Sequence, residues 1–161
     1  MTNVNFDDDA FFRSFKSKSD DNHDLIMEFV YHLAICHTII IEKKDGVTFY
    51  NASSPDELAL TNAARYFGVF FKGRDDDNNI IIEHDGQEVT FQLLNVIEFT
   101  SARKRMSVII RDSRDDKIKV LIKGADSIIF PRLRSNADHV TKTEEFLEDF
   151  ASKGLRTLLL A

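Results

Sequence analysis

A single cysteine, Cys36, among 161 residues leaves the chain without an internal disulfide and fits a reducing compartment. Proline is confined to Pro55 and Pro131, and the six glycines fall at turns or helix ends. Neither Gly-x-x-x-x-Gly-Lys-Ser/Thr nor Gly-x-Gly-x-x-Gly occurs, so any nucleotide would have to bind without a glycine-rich phosphate cradle. No run approaches the ~18 apolar residues of a membrane helix, and residues 1–20 lack the apolar centre of a signal peptide. A basic surplus is missing too. The net charge of −6 argues against a broad nucleic-acid surface and requires any phosphate site to be local. The acidic runs Asp7-Asp8-Asp9, Asp75-Asp76-Asp77 and Asp115-Asp116 lack the spacing of an EF-hand loop and read as solvated turns or tail. His32, Cys36 and His37 share a helical face that invites a zinc reading, but no fourth ligand stands at a suitable spacing. Packing and ordinary hydrogen bonds are the expectation there, and no metal site is expected.

With 43% apolar residues, the chain can bury a core and fits one domain over 1–161. Residues 1–22 are polar, acidic and peripheral, with Phe11, Phe12 and Phe15 at near-helical spacing for docking a short helix on the body. Leu25, Ile26, Phe29, Val30, Leu33 and Ala34 form the stripe of an amphipathic helix ending near Cys36 or His37. Thr38 to Ile41 and Val47 to Tyr50 read as strands joined at Asp45-Gly46. Ser54-Pro55-Asp56-Glu57 opens a helix that Gly68 closes. Strands follow at Val69 to Phe71, Ile80 to Glu83 and Val89 to Phe99, the last slipping phase after Leu93 and after Val96 as bulges would.

Met106, Val108 and Ile110, then Ile118, Val120 and Ile122, predict an antiparallel pair with one apolar face and Lys123 on the other. Ser127 to Arg134 predicts a short helix limited by Pro131. Thr141 to Glu144 spells a second capping box, opening a helix whose Phe146, Leu147, Phe150 and Ala151 are expected to be buried. Leu155 to Leu160 reads as a final strand. Hairpin strands flanked by helices that do not alternate with them make the fold α+β, with a mainly antiparallel β-sheet.

Two stretches concentrate chemistry. Glu98-Phe99-Thr100-Ser101-Ala102-Arg103-Lys104-Arg105 sets an aromatic ring, two hydroxyls and three cations before an apolar strand, and Lys123-Gly124 puts a lysine where a strand meets a glycine. Together they could hold a flat base and an anionic tail. Each residue also has a plain reading. Glu57 completes a capping box, which helix punctuation alone favours; Phe99 is one of fourteen phenylalanines and could be core; Lys123 could be an exposed lysine. Arg103 and Arg105 could pair with the acidic loops.

Ser54-Pro55-Asp56-Glu57, Glu98-Phe99-Thr100-Ser101-x-Arg103-Lys104-Arg105-Met106-Ser107-Val108, Lys123-Gly124-Ala125-Asp126 and Gly154-Leu155-Arg156-Thr157-Leu158 resemble, in order and spacing, the nucleotide-binding domain of P4-type ATPases, the phospholipid flippases. The likeness extends upstream to Leu33-Ala34-Ile35-Cys36-His37-Thr38. Leu58 and Thr61 depart from it, standing where the family usually has alanine and valine.

The resemblance implies that Phe99 stacks on adenine, Glu57 accepts from the adenine amino group and Lys123 lines the inner wall. Arg156 with Thr157 would reach the phosphates, and Ser101 and Lys104 the pocket edge. It implies ATP accompanied by Mg2+, whose ligands would lie in a separate phosphorylation domain. The aspartate that accepts phosphate is expected there as well, so no catalytic residue is expected here. By the same resemblance the chain would be a domain of a larger membrane enzyme, on its cytoplasmic face, with phosphorylation and actuator domains and an accessory subunit as partners. Two other readings stand beside it: an interaction module using the basic cluster for a protein or anionic lipid, and a small phosphotransferase, which lacks a phosphate loop.

Overall fold

The computed structural model describes residues 4–44 and 46–161, Lys43 by its backbone alone. The expected turn at Asp45-Gly46 therefore lies partly outside the described residues. Helix α1 (Asp9–Lys16) is capped by Asp8, whose carboxylate accepts the amides of Ala10 and Phe11 at 2.8 and 3.0 Å. It docks as its phenylalanines predict. Phe11 and Phe6 meet Phe67 with ring centroids 4.8 and 5.2 Å apart. Helix α2 (His23–Ile35) buries Val30, Leu33, Ala34 and Ile35. It packs on α3 (Pro55–Tyr66) and on the sheet.

Strands β1 (Ile40–Lys44) and β2 (Val47–Asn51) form a separate hairpin, tied to the body by the Tyr50 hydroxyl donating to the Phe71 carbonyl at 2.8 Å. The main sheet is antiparallel throughout, in the order β3 (Val69–Arg74), β4 (Ile80–His84), β5 (Gln87–Ile97), β6 (Arg105–Asp112), β7 (Lys117–Gly124), β8 (Leu159–Leu160). After β7 come α4 (Asp126–Ile129), a 3-10 turn over Phe130–Arg132, and α5 (Val140–Ser152). This is the α+β class that hairpins and non-alternating helices predict. One β5 bulge falls where the pattern slips, between Leu93 and Asn95, but Val96 and Ile97 pair regularly with Val108 and Ser107. A second register shift, between Phe71 and Gly73, has no counterpart in the hydrophobic pattern.

The largest correction concerns β7. Met106 of β6 pairs with Lys123, Val108 with Leu121 and Ile110 with Lys119, so the buried face of the sheet carries two lysines. Ile118 and Val120 point the other way and are exposed. Inward lysines are tolerated because each meets a carboxylate: Lys119 reaches Asp112 at 2.7 Å and Lys123 reaches Glu57 at 2.9 Å. Asp112 is itself fully buried. Arg114 grips it through Nε and Nη2 at 2.9 and 2.7 Å while its guanidinium lies 4.4 Å above the Tyr31 ring. Desolvation would raise the carboxyl of Asp112, but its bonds to Arg114 and Lys119 hold it well below the usual carboxylate range.

Neither capping box forms. Ser54 occupies the N-cap of α3 without a side-chain bond, and Glu57 turns away from it. Helix α5 begins one residue before Thr141, with His139 in the left-handed region at φ 62° and the Thr143 hydroxyl donating to its carbonyl. The face of α5 expected to be buried is open, since Phe146 and Phe150 stack on each other at 6.0 Å and are both exposed. The expected strand over Leu155 to Leu160 shortens to two residues.

Gly124 marks a close approach of backbones. A Cβ there would stand 2.6 Å from Cβ of Arg105 and 2.7 Å from the Lys104 carbonyl, so only glycine lets β7 pair with β6 at its end. Gly124→Ala is expected to destabilise the fold by about 1–3 kcal/mol through overpacking, read as a lower urea midpoint.

Candidate functional site

A hollow of about 440 Å3 opens between the N-terminus of α3, the ends of β6 and β7, and the segment before β8. That size is within the range of about 300–1,000 Å3 usual for small-molecule sites. Its inner wall is built by Lys123, Glu57 and Met106, its mouth by Phe99, and its far side by Ser54, Asp56, Arg156 and Leu158. Glu57, Phe99, Lys123 and Arg156 thus come together from four separate stretches of sequence. Ser101 and Lys104 do not line the hollow, and Thr157 lines a neighbouring one instead.

Lys123 and Glu57 are both buried, and they satisfy each other. Oε1 of Glu57 accepts from Lys123, while Oε2 accepts the Thr38 hydroxyl at 2.9 Å and the Thr38 amide at 3.3 Å. Burial alone would raise the Glu57 carboxyl. The hydrogen bond and charge of Lys123, with the two bonds from Thr38, outweigh that and hold it below its ordinary 4.5. Thr38 was expected to start a strand, but β1 begins two residues later because Thr38 is engaged with Glu57.

Phe99 is 60% exposed, so it is not a core residue. Its segment is stapled by Arg103, whose Nη1 donates to the carbonyls of Glu98, Ile97 and Arg105 at 2.8, 3.1 and 3.3 Å. Arg105 donates to the Arg103 carbonyl, and the Ala125 amide to that of Lys104. Sequence reasoning set Arg103 aside, although an arginine just behind a Thr-Ser turn was the available signal for such a staple.

Arg156 is exposed, and its Nη2 lies 3.1 Å from Oδ2 of Asp56, which stands at the second position of α3. The pair also borders the neighbouring hollow, about 600 Å3 and mainly apolar, between α3 and α5.

Cys36 and His37, just past α2, hold other bonds, while His32 within it is buried with its Nε2 lacking a hydrogen-bond partner. Cys36 donates to the Leu121 carbonyl at 3.5 Å, and burial pushes its thiol up to about 12. His37 bonds Ala34 and Ile39, and burial with the nearby Lys123 charge lowers both His32 and His37 to about 4. Among the described residues, no three His, Cys, Asp or Glu side chains are grouped as a metal site.

This arrangement offers an open aromatic face beside a buried ion pair, with an exposed guanidinium across the hollow. Residues 25–161 match the family model described as P-type ATPase, cytoplasmic domain N. The chain belongs to that family. It is 43% identical over 144 residues to the phospholipid-transporting ATPase tat-1 of Caenorhabditis elegans, covering 88% of this chain and 13% of that protein. It is 44% identical over 135 residues to phospholipid-transporting ATPase IC of Xenopus tropicalis, covering 84% and 11%. With phospholipid-transporting ATPase IK of Mus musculus it shares 46% identity over 136 residues, covering 84% and 10%. The likeness to the phospholipid-transporting branch of the P-type ATPases is thus met. As an N domain the chain spans about an eighth or less of its relatives' length. Residues 1–24, including α1, lie outside the stretch matched by the N-domain model. Among the described residues no helix is long and apolar enough to cross a membrane.

The ion pair carries a pH signature. Because the folded Glu57 carboxyl lies below 4.5, its stabilisation is present above that value and is lost as pH falls through the folded value. Glu57→Gln is expected to cost about 3 kcal/mol near neutral pH, the low end for uncoupling a buried pair. In urea unfolding, the difference from the parent chain should shrink as the pH is taken progressively below 4.5.

Proposed function

We propose that this domain binds ATP in the hollow under Phe99 and, as part of a larger phospholipid-transporting ATPase, presents it to an aspartate of a separate phosphorylation domain. The observation that carries the reading is the convergence of Phe99, Glu57, Lys123 and Arg156 on one nucleoside-sized hollow. Phe99 stacks on the adenine ring. Oε1 of Glu57, which accepts from Lys123 alone, retains an acceptor site for the adenine amino group, whereas Oε2 already accepts twice from Thr38. Lys123 lies against base and sugar, and Arg156 reaches the phosphates. Ser101, Lys104 and Thr157 stand outside the hollow's lining, so the reading rests on the other four. Mg2+ accompanies ATP and is held by ligands outside this chain.

In the parent enzyme the domain would work on the cytoplasmic face of the membrane, alongside phosphorylation and actuator domains, with an accessory subunit part of the same reading. The transported lipid would be chosen elsewhere in the protein. The alternative, an interaction module built on the basic cluster, is weakened because Arg103 and Arg105 spend hydrogen bonds on their own loop.

A site with few polar contacts should bind near 1 mM, about −4 kcal/mol. ATP titrated into the chain is expected to move the amide resonances of Phe99, Lys123 and Arg156. No movement at several-fold higher ATP would reject the proposal. Phe99→Ala should weaken binding by about 1–3 kcal/mol; unchanged affinity in a folded variant would remove Phe99 from the site.

A further inference from the structure

We infer that Asp56 acts as a latch on Arg156, so that the phosphate side of the hollow engages its ligand only by exchanging one anion for another. The inference rests on the nucleotide reading and concerns how that site is regulated. Four charged side chains line the hollow: Asp56, Glu57, Lys123 and Arg156. Their formal charges cancel, so an incoming polyphosphate meets no net attraction. Lys123 is committed to Glu57 at 2.9 Å inside the protein, which leaves Arg156 as the cation able to swing toward a phosphate. Arg156 is 80% exposed at its side chain, and among the described residues its one ion pair is with Asp56, a single contact at 3.1 Å.

A one-point pair at this exposure is weak, worth at most about fivefold in an equilibrium. A phosphate can therefore break it, and a bidentate phosphate contact is the stronger bond for a guanidinium. The exchange gives up the Asp56 contact, a cost that an uncharged nucleoside, which leaves Arg156 in place, never meets. Asp56 thereby lowers the advantage of ATP over adenosine. The same pair stands on the wall shared with the apolar hollow between α3 and α5, so Arg156 has open space on either side into which to turn.

The test compares adenosine and ATP affinities of the chain by amide NMR titration in the parent, Asp56→Asn, Asp56→Glu, Arg156→Gln and the Asp56→Asn/Arg156→Gln double variant. Asp56→Asn is expected to raise the ratio of ATP to adenosine affinity about two- to fivefold. Asp56→Glu, which keeps the charge, should stay near the parent. In the Arg156→Gln background the Asp56→Asn gain should vanish, as coupling through a shared partner requires. A ratio that falls would show Asp56 orienting Arg156 for the ligand, and an unchanged ratio would show an idle contact. A gain that survives without Arg156 would show direct repulsion of phosphate. Each of these overturns the latch while leaving nucleotide binding intact, whereas a parent chain that binds neither ligand overturns the nucleotide reading itself.

Discussion

The buried pair of Lys123 and Glu57 is the constraint on which the site depends. Removing two charges from water costs several kcal/mol per ion, and only close, fully hydrogen-bonded geometry repays it. Here Glu57 accepts from Lys123 and twice from Thr38, so three segments far apart in sequence must arrive together before either charge can be buried. The end of β7, the first turn of α3 and the residues ahead of β1 are thereby pinned to one another. The inner wall of the hollow is the surface of that junction.

A second constraint sets the mouth. Gly124 lets the last pair of β6 and β7 close to backbone contact, which brings the Lys104 carbonyl within reach of the Ala125 amide. Arg103 then folds its guanidinium onto the carbonyls of Ile97 and Glu98, ahead of the turn that carries Phe99, and of Arg105, behind it. A large aromatic ring left 60% exposed loses the benefit of burial. Its place is kept by a polar staple and a glycine rather than by packing of the ring itself.

Much of this was legible in the chain, and the failures share a cause. Helices α2 and α3, the hairpin strands and the first β5 bulge were readable because periodicity and turn residues are local signals. The inward face of β7 was not, since alternation says which residues share a face but not which face turns in. That was decided by carboxylates at Glu57 and Asp112, distant in sequence from the lysines they meet. Glu57 as a capping residue failed for the same reason, a long-range cation outbidding a local amide. Motif resemblance brought Glu57, Phe99, Lys123 and Arg156 to one place where periodicity could not. It also named Ser101, Lys104 and Thr157, which the fold sets outside the hollow's lining.

The two sides of the hollow differ in how firmly they are held. Phe99 and Lys123 adjoin strands paired over their length, and Glu57 starts a helix packed on α2. Arg156 follows a helix with no buried residue and precedes a strand of two residues, so little packing fixes its backbone. A ligand with both a base and phosphates would therefore meet a preformed surface at one end and an adjustable one at the other. Preorganisation lowers the cost of binding only where it exists, so affinity should come chiefly from the base. The phosphates would then be held loosely, which the proposed hand-over of a terminal phosphate to a separate domain would require.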